Sequence, residues 1–111
     1  MSIRYLAGFA GVALMGAAGM SYPQAVGSLR QVELVRLVRQ DCGSCHGLTL
    51  KGGLGPPLTA QALKDKSPEM LKTVILKGRP GTPMPPWDAF MSEQDANWIV
   101  EQLLKGFPSE R

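Results

Sequence analysis

Both cysteines and the only histidine of this 111-residue chain fall in one pentapeptide, Cys42-Gly43-Ser44-Cys45-His46. Two thiols at this spacing can form thioether bonds to the two vinyl groups of one haem. The imidazole that follows is then held beneath the iron as a proximal ligand. A chain so tethered must fold around a large flat apolar ring. Rival uses of these residues lack partners. A structural zinc site needs four Cys or His ligands, and the chain has three. A thioredoxin-like redox site expects a βαβ setting, and no strand-forming runs surround the motif. A plain Cys42–Cys45 disulfide remains open, but it leaves His46 without a role.

The N-terminus supplies a compartment. Met1 to Arg4 carries one positive charge, Leu6 to Ala18 is an uncharged apolar run, and small residues stand at Gly16, Ala17, Ala18 and Gly19. The pattern predicts a secretory signal peptide over residues 1–22, with cleavage between Ala18 and Ala25, export to the periplasm and a domain over 23–111. An uncleaved anchor is the alternative, but the apolar run falls short of the roughly 20 residues that span a bilayer. No stable membrane span is therefore expected in the mature form. No cysteine lies near the cleavage region, so lipid attachment there is excluded.

The remaining length suits one domain with a modest core, a size that usually needs a staple, and a covalent haem provides one. The chain has 12 basic and 9 acidic side chains. Two haem propionates bring that balance close to neutral. With no basic run, nucleic acid is not expected as a partner.

The rest reads as helices and turns. Ser28 with Gln31 forms an expected capping box, and Leu29, Val32, Val35 and Val38 recur towards Asp41, so a first helix delivers the chain into the C-x-x-C-H turn. Gly47 to Pro57 is a loop by composition. Thr59 is expected to cap a short helix to about Lys64. Ser67-Pro68-Glu69 opens another, with Leu71, Val74 and Ile75 on one face and Gly78 closing it. Ser92 with Asp95 caps the last, whose stripe is Ala96, Ile99, Val100 and Leu103 and whose stop is Gly106. Strand alternation is absent, so the expected fold class is all-α.

Between the last two helices lies Gly78-Arg79-Pro80-Gly81-Thr82-Pro83-Met84-Pro85-Pro86-Trp87. Its prolines bar a helix and leave a stiff extended loop with one soft ligand, Met84, in the middle. A thioether can supply the second axial bond to haem iron and raise its reduction potential. Alternatively Met84 fills a gap in the core, as methionine often does. Met70 and Met91 compete for the ligand role, but helical patterning or a helix boundary accounts for each. Trp87 suits either the porphyrin edge or the core.

In the order of these features the chain resembles the small class I cytochromes c: C-x-x-C-H after a first helix, Gly55-Pro56 a short loop later, Pro83-Met84-Pro85-Pro86, and a closing helix from Ser92. The resemblance covers essentially the whole expected mature chain. It implies three to five helices around one covalent haem c, His46 and Met84 as axial iron ligands, and the Pro56 carbonyl accepting the proximal histidine's proton. More narrowly, the stretch from Asp41 to Pro56 resembles the NirC (cytochrome c55X) type of denitrifying bacteria. That implies electron donation to a cytochrome cd-type nitrite reductase, or a redox step with the proteins that mature its d-type haem. Both terminal helices depart from the family. Leu34 and Val38 stand where a glycine and an aromatic are common, and Gln102 replaces a frequent aromatic, so the first and last helices are expected to pack through Ile99 and Leu103 instead.

With both axial positions filled, such a protein is an electron carrier and not an enzyme, and docking sets its partner. If Met84 does not ligate, the open position could bind a gas or support weak peroxidase chemistry. The lack of a second imidazole argues against the latter. Lys51, Lys72, Lys77 and Arg79 could ring an exposed haem edge and steer an acidic redox partner, or be ordinary solvated cations.

Overall fold

The computed structural model describes residues 25–108 and, ahead of them, only positions 8, 11–13, 16 and 19. Apart from those positions, the expected signal peptide lies outside the described residues. No described helix is long and apolar enough to cross a membrane.

Every regular element among the described residues is helical: α1 (Ser28–Leu37), a π-helical turn (Val38–Cys42), α2 (Gly43–His46), α3 (Ala60–Leu63), α4 (Pro68–Lys77) and α5 (Glu93–Lys105). The all-α expectation holds. Helix α5 follows its sequence signals closely. The Ser92 hydroxyl accepts from the Asp95 amide, the Asp95 carboxylate accepts from the Ser92 amide, and Gly106 follows the last turn. Ala96, Ile99, Val100 and Leu103 are all buried, as their spacing predicts. Helix α4 starts at Pro68, with the Ser67 hydroxyl accepting from the Met70 amide. Leu71 and Ile75 pack on the core, although Leu76 is its most buried residue. Thr59 caps α3 through the Ala62 amide.

Helix α1 corrects the sequence reading twice. Its N-cap is Gly27, with no side-chain cap, so the Ser28–Gln31 box does not form. Gln31 instead donates from Nε2 to the Val26 carbonyl. Leu29 and Val32 are exposed, while Leu34 and Val38 are fully buried. The reason is geometric. At about 100° per residue, steps of three drift back by about 60° each, so Leu29 and Val38 point to opposite sides of the helix. Leu34 and Val38, four apart, share a face.

These two residues join Ala96, Ile99 and Leu103 of α5, Leu76 of α4, Leu63 of α3, Leu50 and Met91 in one core cluster. Leu34 and Val38, which stand where the resemblance implies a glycine and an aromatic, thus share one core cluster with Ile99 and Leu103 of the last helix. A polar link reinforces the pairing. Arg30 on α1 donates from Nε and Nη2 to one Asp95 oxygen, at 3.2 and 2.9 Å, and from Nη2 to the Phe90 carbonyl. At the other end of the helical rod, Arg39 donates to the carbonyls of Phe107 and Pro108 and lies over the Phe107 ring, 5.5 Å from its centroid. Phe107 in turn meets Trp98 of α5 edge to face.

Candidate haem site

Helix α1, the π turn and α2 form one uninterrupted helical run that ends on His46. A π turn accommodates one more residue than an α turn and recurs at functional sites. Here it resets the phase between the buried Leu34–Val38 face and the residues of the haem motif. Both cysteines are free thiols, Cys42 half-buried and Cys45 exposed. Burial, with the Asp41 carboxylate adding to it, pushes the Cys42 thiol up to about 11. Ser44 is tied down by its hydroxyl donating to the Asp41 carbonyl at 2.7 Å.

Beyond His46 the chain folds back on the motif. The Gly52 amide donates to the His46 carbonyl and the Gly55 amide to the Cys45 carbonyl. This brings Pro56 into place, and its carbonyl oxygen lies 2.7 Å from His46 Nδ1. A carbonyl can only accept, so Nδ1 carries the proton and Nε2 keeps its lone pair for a metal, the usual arrangement of a ligating histidine. Gly55 packs flat on the imidazole: a Cβ at this position would stand 2.9 Å from both Cε1 and Nδ1. Leu50 holds a left-handed backbone, φ 59°, and its buried side chain compensates the strain.

Met84 belongs to a separate loop, pinned at its neck to the end of α4. The Trp87 and Asp88 amides donate to the Ile75 and Leu76 carbonyls, the Arg79 amide to the Met84 carbonyl, and Lys77 pairs with Asp88 at 2.9 Å. The Met84 amide in turn donates to the Thr82 hydroxyl. Met84 is half-buried. Of its rivals, Met91 is buried in the core and Met70 lies 41% exposed on α4. Trp87 packs on the core with its ring 5.7 Å from that of Phe90.

The structure thus gathers Cys42, Cys45, His46 and Pro56, and holds Met84 on its own loop, with no hydrogen bond between the two loops among the described residues. The proximal residues fit a covalently attached haem. Two free thiols precede an oriented imidazole, and the apolar Leu48 and Leu54 that follow it are 73% and 96% exposed. Among the described residues no group of three or more His, Cys, Asp or Glu could hold an ion by itself. Of the four cations expected around a haem edge, Lys72 and Lys77 pair with Glu69 and Asp88. Lys51 and Arg79 are exposed. Sequence reasoning missed the close approaches at Gly55 and Gly78. Their only signal was the clustering of glycine beside proline.

An all-helical chain that presents C-x-x-C-H with an oriented imidazole is a c-type cytochrome, and this one belongs to the family described as cytochrome C oxidase, cbb3-type, subunit III, which it matches over residues 31–102; its cofactor is covalently bound haem c. It is 57% identical over 77 residues to cytochrome c55X of Pseudomonas aeruginosa, an alignment that takes in 69% of this chain and 65% of that protein, just under two thirds of its length. Among solved structures it is similar to the c-type cytochrome NirC, with a TM-score of 0.71 and 54% identity over 72% of this chain and 94% of that one. It is also similar to dihydro-heme d1 dehydrogenase NirN in complex with DHE, with a TM-score of 0.60 and 36% identity over 68% of this chain but 16% of that one. The resemblance to the NirC type read from residues 41–56 therefore holds.

Proposed function

We propose that the protein is a periplasmic carrier of single electrons in denitrification, with His46 and Met84 as the axial ligands of its haem. The observation that carries this reading is the pair of candidate ligands on two separately braced loops, one fixed by the Pro56 carbonyl and the other by the end of α4. Bound haem supplies a reversible one-electron couple. The chain does the rest. Cys42 and Cys45 tether the ring, Pro56 sets the tautomer of His46, and the Met84 thioether favours the reduced state. With protein at both axial positions no substrate reaches the iron, so the protein is a carrier rather than an enzyme. Its single histidine is committed, which leaves no second imidazole for peroxidase chemistry. The export pattern at residues 1–22 supports the periplasmic assignment.

Both duties of the NirC type remain candidates, and the likeness to NirN favours the one in d-type haem maturation, because a domain of this kind is part of a protein named for dehydrogenating dihydro-haem d1. Dehydrogenation releases two electrons and two protons, so two oxidised carriers would be reduced for each substrate. The test is anaerobic mixing of the oxidised protein with such a dehydrogenase and dihydro-haem d1, followed by haem absorbance. The expected result is full reduction at two carriers per substrate. Oxidation of the reduced protein by a cytochrome cd-type nitrite reductase, without that reaction, would assign the donor duty. Exchange with neither would remove the denitrification role.

A further inference from the structure

We propose that Gly78 is the positioning residue of the sixth ligand: the Met84–Pro86 backbone rests on its bare α-carbon. The proposal rests on the reading of Met84 as that ligand. An imidazole can be fixed through a hydrogen bond, but a thioether is a weak acceptor, so its place must come from the backbone that carries it. That backbone is anchored at Gly78. Helix α4 ends at Lys77, and Gly78 turns the chain with φ 70° and ψ −173°. A Cβ there would come within 2.7 Å of the Met84 carbonyl oxygen, 2.8 Å of the Pro85 carbonyl carbon and 2.8 Å of the Pro86 nitrogen.

None of these atoms is the free end of a side chain. The Met84 carbonyl is held by the Arg79 amide at 3.1 Å, and the chain leaving Pro86 is held by the amides of Trp87 and Asp88 on the carbonyls of Ile75 and Leu76, at 3.0 and 3.2 Å. Pro83, Pro85 and Pro86 have their φ angles fixed by their rings, so the segment cannot yield by local rotation. A methyl group at position 78 would therefore displace Met84 as a unit. The loop contains its own control. Gly81, with φ 78°, also has a positive φ, yet a Cβ there would meet nothing within 4 Å. A substitution at Gly81 strains the dihedral alone, and one at Gly78 adds the collision.

The experiment compares holoprotein variants Gly78→Ala, Gly78→Asn, Gly81→Ala and Met84→Ala. Alanine and asparagine both place a Cβ at position 78, where φ 70° with ψ −173° is a backbone open essentially to glycine alone, and they differ only in what lies beyond that Cβ. Two properties of the oxidised protein are read: the near-infrared sulfur-to-iron charge-transfer band, and the affinity for added imidazole, which binds once the sixth position is released. Both Gly78 variants are expected to lose at least half of the band and to bind imidazole at least tenfold more tightly, while Gly81→Ala stays within twofold of the wild type on both. Gly78 variants that keep the band and the wild-type imidazole affinity would overturn the proposal, as would an equal loss in Gly81→Ala. A band that is absent from the wild type, or that survives Met84→Ala, would instead overturn the ligand reading, and the proposal with it.

Discussion

The loop after His46 and the loop around Met84 are both dense in glycine and proline, yet they fix their side chains by different means. His46 is oriented by one polar contact, Nδ1 to the Pro56 carbonyl at 2.7 Å, ten residues along the chain. The Met84 sulfur has no such partner among the described residues, and what is held there is the main chain, at Arg79, Trp87 and Asp88. A side chain that forms hydrogen bonds can be aimed after its loop has folded. One that does not can be no better placed than the loop itself.

The largest effects should fall on the proximal side. His46→Ala removes the sole imidazole and should leave no stable low-spin species in the absorption spectrum; a normal low-spin spectrum would break the proximal half of the comparison. Wild-type haem should stay with the denatured chain after acid-acetone extraction, while Cys42→Ala and Cys45→Ala weaken or abolish attachment.

Next comes the distal side. Met84→Ala should erase the near-infrared band and lower the reduction potential measured by titration. Met70→Ala and Met91→Ala should both keep the band, although the latter opens a cavity in the core and should cost about 2–3 kcal/mol in denaturant unfolding.

A smaller effect sharpens the contrast. Gly55→Ala crowds the imidazole and should cost about 1–3 kcal/mol by overpacking, read in the same unfolding experiment. A neutral result would mean that the Pro56 hydrogen bond alone places the ring.

The smallest effect lies away from both loops, at the contact between α1 and α5. Burial pushes the Asp95 carboxyl up, but Arg30 and the Ser92 amide outweigh it and hold the group below its usual range. As pH falls, the unfolded chain therefore takes up this proton first. The stabilisation is complete above the ordinary aspartate value, about 3.9, and is lost as pH falls through it to the depressed folded value. Asp95→Asn should cost about 1 kcal/mol at neutral pH and flatten the dependence of Tm on pH between about 5 and 3. An unchanged slope would show that the pair contributes nothing to acid stability.

How legible these regions were in the sequence follows from how local their signals are. Helix α5 could be read to the residue because its cap, its third-position acid and its 96–99–100–103 stripe agree. In helix α1 the reading held for Val38 and failed for Leu29 and Val32, because its apolar residues recur at steps of three, which winds around the helix. Leu50 was beyond reach, since its loop reads as a connector from its glycines and prolines and its burial depends on a backbone angle no pattern announces. The candidate site stood out because its chemistry needs rare residue types. What positions those residues did not: Gly55 and Gly78 read as turn and stop signals, and their close contacts appear only once the chain is folded.

The Arg39 clamp carries a consequence for the order of assembly. It joins positions 68 and 69 residues apart, against ten for the link between His46 and Pro56. By the logarithmic cost of ring closure the longer link is disfavoured by about 1.7 kcal/mol, so entropy already favours the short one. The order of emergence separates them further: wherever the chain folds, the short link can close while most of the helices have yet to follow, whereas the clamp must wait for Phe107 and Pro108. The thiols therefore spend most of the chain's emergence on a polypeptide that has nothing yet to clasp it shut.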